Sequence, residues 1–210
     1  MPTRAACLIV AGLLATAGRA RAAETETPET PAWRANASIY RYVVPEEPDF
    51  TMAVAAVDFG RVHFEGRYNY EGLNAASLFA GFDVAAGERV RLAMTPMLGV
   101  VFGDLHGLIP AVRLTLAWWK LDLYTESELV IDVEDAGASF VYDWSELAIS
   151  PWSWLRAGIV AQRNRVLRTP LDIQRGLFVG VTIKFATVSF YELNAGWTDP
   201  TYIAALGLAF

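Results

Sequence analysis

The last eleven residues, P-T-Y-I-A-A-L-G-L-A-F from Pro200 to Phe210, separate into two faces. Phe210, Leu208, Leu206, Ala204 and Tyr202 form one row, apolar throughout and aromatic at both ends. Ala209, Gly207, Ala205, Ile203 and Thr201 form the other, which is mostly small. A side-chain period of two is strand geometry, and it recurs along most of the chain. The sequence is 54% hydrophobic and 12% aromatic, yet past residue 18 no apolar run approaches the ~20 residues of a membrane-spanning helix. Apolar side chains dispersed at alternate positions give a β-barrel its lipid-facing coat without a hydropathy peak.

The start of the chain is different in kind. Arg4 precedes an unbroken small and apolar run from Ala5 to Gly18, followed by Ala20-Arg21-Ala22. Basic start, short apolar run and A-x-A site make residues 1–22 a secretory signal peptide cleaved after about Ala22. Cys7, the only cysteine, leaves with it, so the mature chain carries no thiol, disulfide or thiolate metal site. Three of the 17 basic residues leave too, and 14 remain against 23 acidic ones, a net charge of −9. Such a balance excludes nucleic acid as a partner, since phosphate neutralisation needs a basic surface. Residues 23–36 are acidic, rich in Thr and Pro, and without period, which reads as a flexible periplasmic tail. Residues 37–210 form one domain.

Alternation and turn residues divide that domain into twelve strands, near 37–44, 50–58, 61–71, 74–85, 88–101, 109–118, 120–133, 138–148, 153–164, 175–185, 187–196 and 201–210. With a periplasmic N-terminus, the tightest connections fall on the periplasmic side and the longest, 165–174, outside. Aromatic residues gather at strand ends: Phe59, Trp118, Trp119, Trp152, Trp154, Phe185 and Phe210 below, and Phe50, Tyr70, Phe102, Phe140, Trp197 and Tyr202 above. Pro96 falls inside the fifth strand, where proline marks a bulge or a misdrawn strand. The terminal row ending on a phenylalanine carboxylate resembles the closing strand of bacterial outer-membrane β-barrels. The resemblance implies an all-β, single closed up-and-down antiparallel transmembrane barrel in the cell outer membrane. It also implies that Tyr202, Leu206, Leu208 and Phe210 engage the barrel-assembly machinery.

The charged rows are expected to face the lumen. Arg41, His63, Glu65, Arg67, Arg91, Arg113, Asp122, Glu126, Glu128, Asp132, Asp143, Arg156, Lys184 and Glu192 are the expected lumen-lining set. The basic members lie mainly on strands one to six and the acidic ones on seven and eight. Facing arcs of opposite sign would orient small polar solutes in a narrow, porin-like passive channel. Alternatively, the arginines reach across, pair with the carboxylates and plug the barrel. A second function class is an enzyme acting on lipid or lipopolysaccharide, for which His63 and His106 are the only histidine bases and no serine has a nucleophile context. A third is a closed structural or binding barrel. Arg163, Arg165, Arg168 and Arg175 flank the longest loop and are positioned for lipopolysaccharide phosphates. The sequence contains no cofactor motif and no metal-ligand constellation.

Overall fold

The computed structural model describes residues 33–45, 48–166, 172–197 and 199–210. The expected signal peptide, most of the expected tail and Arg168 lie outside the described residues. Thirteen strand segments follow in order: β1 (Trp33–Val43), β2 (Phe50–Phe59), β3 (Val62–Tyr68), β4 (Ala75–Phe82), β5 (Val84–Ala86), β6 (Val90–Gly103), β7 (Gly107–Trp118), β8 (Leu121–Asp132), β9 (Phe140–Trp152), β10 (Leu155–Val166), β11 (Asp172–Ile183), β12 (Ala186–Leu193) and β13 (Thr201–Ala209). Each pairs antiparallel with its chain neighbour, except that β4 and β5 both pair with β6, and β13 pairs with β1. The sheet is therefore a closed barrel of twelve wall strands. The first strand begins at Trp33, which moves residues 33–36 out of the expected tail and into the wall.

Pro96 explains the segment that divides in two. Register runs Gly81 opposite Met97 and Val84 opposite Met94, so Phe82 and Asp83 face Pro96 and Thr95 without any inserted residue. Proline has no N–H to give, and the ladder lapses there. Thr95 Oγ1 donates to Asp83 Oδ1 at 2.6 Å and bridges the gap. On the other edge of β6 the register passes Pro96–Val112 unbroken. Of the two expectations for Pro96, a bulge or a misdrawn strand, the bulge is absent: β6 runs through and its partner is interrupted between β4 and β5.

One end of the barrel is closed by tight connections at 60–61, 87–89, 119–120, 153–154 and 184–185. Four of them begin with a residue at positive φ: Gly87 (φ 91) in the three-residue connection, and Gly60 (φ 60), Trp119 (φ 56) and Lys184 (φ 56) in two-residue ones, as primed hairpin turns require. The first strand starts and the last one ends here. Backbone bonds join Ala35 to Phe210 (3.2 and 2.8 Å), and Phe210 stacks on Phe185.

Burial separates the two faces. On β8, Leu121, Leu123 and Ile131 are exposed while Tyr124, Glu126, Glu128 and Val130 are buried. The same division holds elsewhere: Leu98, Leu177 and Ile183 are 60%, 64% and 69% exposed on the outside. A continuous apolar exterior of this extent has no stable home in water. The inside holds the buried set, in which Tyr40, Tyr42, Met52, Phe140, Tyr142, Trp144 and Tyr191 fill the half near the longer loops. Toward the tight turns the inward positions are small or polar, among them Ser38, Ala56, Thr95, Thr115, Thr182 and Thr187. All seven aromatics expected in the lower band are exposed, whereas Tyr70 and Phe140, expected in the upper band, are buried inside. The upper band is the thinner one.

Candidate functional site

Two arginine-centred clusters occupy the lumen. In the first, Arg67 on β3 crosses the barrel to Glu126 and Glu128 on β8. It lies 3.2 Å from Glu126 and hydrogen-bonds Glu128, while its Nε donates to Glu65 at 2.6 Å. Its guanidinium lies between the rings of Phe79 (4.1 Å) and Tyr70 (4.2 Å). Gly99, on the next wall strand, has no Cβ because the Phe79 ring would lie 2.5 Å from it. Arg113 on β7 spans from Glu126 (3.1 Å) to Glu65 (2.8 Å). Tyr70 and Tyr124 hydroxyls also donate to Glu126, at 2.7 and 2.9 Å. Glu71 completes the set, 3.3 Å from Arg67 and accepting from Ser77. Four carboxylates thus surround two guanidiniums.

Tyr70 and Glu71 reach this cluster through an unusual connection. Asn69 and Asn74 both adopt φ 56, a conformation asparagine tolerates well. The Asn69 side chain accepts from Asn74 N at 2.7 Å and donates to Thr51 O at 3.0 Å. Closed in this way, the loop folds into the barrel mouth, and Tyr70 and Glu71 are fully buried. From the sequence Tyr70 is expected in the upper aromatic band at the rim. The pair of asparagines five residues apart is the signal that could have found them.

In the second cluster Arg156 on β10 binds Asp122 on β8 at 2.5 Å and also Glu146 on β9. Trp144 Nε1 and Tyr191 Oη donate to Glu146 at 3.0 and 3.1 Å. Phe178 stacks on Tyr191 and underlies the Arg156 guanidinium. Below the first cluster a chain of contacts leads to the tight-turn end. Glu65 lies 3.4 Å from His63, His63 Nδ1 bonds Asp58 at 2.6 Å, and Arg34 lies 3.4 Å from Asp58 and 3.6 Å from Asp83. Arg34, Asp58, Tyr124, Trp144, Glu146 and Tyr191 belong to this lining but were not singled out from sequence.

The structure brings together His63, Glu65, Arg67, Arg113, Glu126 and Glu128, and separately Asp122 with Arg156. Arg91 has lumen parity at the tight-turn mouth, opposite Ala117. Asp132 has lumen parity but acts at the rim, accepting from the backbone of Glu134 and Asp135. Four expected lining residues are elsewhere. Arg41 faces outward at the rim and pairs with Asp49 at 2.9 Å. Asp143 faces outward among hydroxyls of Thr125, Ser127 and Ser145. Glu192 faces outward opposite Tyr202. Lys184 is in the two-residue turn after β11. In each case the assignment assumed that charge on a wall strand must point inward, whereas near a strand's end the outside meets headgroups and water. Nor do basic and acidic arcs face each other across water, because the arginines pair with the acids directly.

For the enzymatic alternative, the two histidines both stand beside carboxylates. His63 is held between Asp58 and Glu65, while His106, in a rim loop, lies 3.6 Å from Glu134.

An apolar exterior, a closed wall of twelve strands, short turns at the terminal end and a charged interior define an outer-membrane-type β-barrel. One solved structure agrees on the fold. The KdgM porin superposes with a TM-score of 0.64 at 9% identity, covering 83% of this chain and 99% of its own. Pseudomonas aeruginosa OccK5 (OpdH) gives 0.46 at 6% identity, over 87% and 67%, and the outer membrane protein opdK from the same organism 0.47 at 9%, over 87% and 68%. No protein-family model matches the sequence, and neither does any curated protein.

Proposed function

We propose that the protein is a narrow passive channel for small polar solutes in the outer membrane, with the Arg67–Arg113 cluster as its constriction. One observation carries the reading. Arg113, Asp122 and Arg156 retain 17%, 12% and 13% side-chain exposure and share a vestibule with the inward Ser38, Thr95, Thr115, Thr182 and Thr187, none of which is buried. Glu128 Oε2 and Gln174 Oε1, nearer the longer loops, and Ser189 Oγ, on the same rung as Arg156, are enclosed without a hydrogen-bond partner, an arrangement that ordered water resolves. The fold shared with a porin is in keeping with this reading.

In this conformation the Arg67 cross-section is filled, so passage requires the Arg67–Glu128 contact to part. Complete burial of Arg67, Glu126 and Glu128 favours the rival reading of a permanently closed structural barrel. Planar-bilayer recording separates the two. The channel predicts a small ohmic conductance, well below that of open sixteen-strand porins. No current above the bare membrane, with insertion shown by protease protection, would remove it. The same proposal includes export by residues 1–22 with cleavage after Ala22, a periplasmic tail, and recognition of Tyr202, Leu206, Leu208 and Phe210 by the assembly machinery.

A further inference from the structure

On the outer wall of β8–β11 the apolar coat contains a polar island. Asp143 accepts from Ser127 at 2.8 Å, Ser145 at 3.0 Å and Thr125 at 3.2 Å, and the Ser145 and Thr125 hydroxyl oxygens lie 3.1 Å apart. All four are half-buried and share the outward parity of Leu121, Leu123, Leu147 and Ile149 nearer the tight turns, and of Ile131 and Val141 nearer the loops. Arg163 stands directly across the ladder from Asp143, with Arg165 one outward position further up. On β11, Arg175 faces outward opposite Ala161 and lies over Trp197 at 5.1 Å.

Depth gives the island its meaning. At about 3.3 Å per residue and a strand tilt of about 40°, Asp143 stands about 23 Å above Trp152, Arg163 about 23 Å above Trp154, and Arg175 about 25 Å above Phe185. The apolar band of such barrels is about 25 Å tall. Asp143 therefore sits at the junction of acyl chains and headgroups, with Ser145 and Thr125 one outward position below it and Arg165 above it.

We propose that this face binds a phosphorylated glycolipid of the outer leaflet, with Arg163, Arg165 and Arg175 holding its phosphates and Asp143 accepting from amide or hydroxyl groups at the roots of its acyl chains. The proposal rests on the reading that the barrel spans an outer membrane with its tight turns in the periplasm. Charge complementarity selects the occupant. Even with hydroxyl donors from its own wall, a carboxylate at the edge of the acyl layer keeps acceptor capacity and gains from a further donor. An ordinary anionic phospholipid brings phosphate for the arginines but no N–H or O–H at the depth of Asp143. A glycolipid with amide-linked hydroxyacyl chains brings both, at the two levels where this wall is polar. Three arginines against Asp143 leave the patch net cationic, with Glu192 on β12 marking its far edge.

The test is titration of the folded protein in maltoside micelles with bis-phosphorylated lipid A, read by native mass spectrometry, with phosphatidylglycerol and inorganic phosphate as separate arms. Losing a charge-assisted hydrogen bond weakens binding about tenfold. Asp143→Ala is expected to raise the Kd for lipid A about tenfold and the Arg163→Ala/Arg165→Ala pair about a hundredfold, while Arg41→Ala, on the rim of β1, leaves it unchanged. Phosphatidylglycerol should bind weakly and lose affinity only with the arginines. Unchanged or tighter lipid A binding by Asp143→Ala overturns the proposal, as does equal affinity for phosphatidylglycerol or inorganic phosphate. Electrophoresis of the same samples with and without heating separates the underlying reading. A heat-modifiable barrel that ignores lipid A overturns this inference alone, and a chain that needs no detergent overturns both.

Discussion

Replacing Arg67 with alanine is expected to destabilise the barrel by about 3–5 kcal/mol, the range for removing one partner of a buried ion pair. Arg67 is fully buried and contacts four carboxylates, Glu65, Glu71, Glu126 and Glu128. Without it Arg113 alone faces them, and the Phe79 and Tyr70 rings lose the cation between them. The cluster already holds more acids than arginines, so the effect is asymmetric. Glu128→Gln lowers the excess negative charge and keeps an acceptor for Arg67, and it should cost less than half as much. Urea unfolding in lipid vesicles, followed by tryptophan fluorescence, measures both. If the channel reading holds, Arg67→Ala also raises single-channel conductance, because the side chain that spans the lumen is gone. Equal losses for the two variants would mean that the cluster is held by packing and not by charge.

The second large effect is expected on the opposite face. Leu147 is 49% exposed on the outside of β9 and stands about 13 Å above Trp152, near the middle of the apolar band. Leu147→Arg should destabilise the inserted barrel by about 2–4 kcal/mol, as charge at the bilayer midplane does. Thr182→Arg, facing the vestibule, should change stability by less than about 1 kcal/mol, since its side chain reaches water. In a soluble protein the order would reverse, with the half-exposed leucine tolerant and the inward threonine sensitive. The same urea titration decides between them.

Wall parity was legible wherever one row was apolar and the other charged. On β3 and β8 the sequence alone assigns His63, Glu65, Arg67, Glu126 and Glu128 to the lumen, and the structure puts them there. The method fails where both rows are mixed. In V-Y-D-W-S-E, Tyr142, Trp144 and Glu146 compete with Asp143 and Ser145 for the inside, and bulk wins because the wide upper lumen has to be filled. Asp143 then accepts from Thr125 and Ser127 on the neighbouring strand, which no local reading of β9 could supply. Arg41 is the same case at the rim, displaced by the flanking Tyr40 and Tyr42. The inward fold of Tyr70 and Glu71 was hidden for another reason, because it depends on loop conformation and not on strand period. Pro96 was visible as an anomaly, but whether it bulges or merely interrupts the ladder is decided by the partner strand.

The most direct measurement uses the chain's lack of any cysteine after Cys7. Spin labels at single cysteines replacing Leu123, Leu147 and Ile159, and in turn Ser38, Thr115 and Thr182, would be read in vesicles for collision with oxygen, which concentrates in lipid, and with a water-soluble nickel chelate. The first three should collide with oxygen and the last three with nickel. Leucine-site labels reached by nickel and shielded from oxygen would contradict a barrel that turns its apolar wall to the membrane.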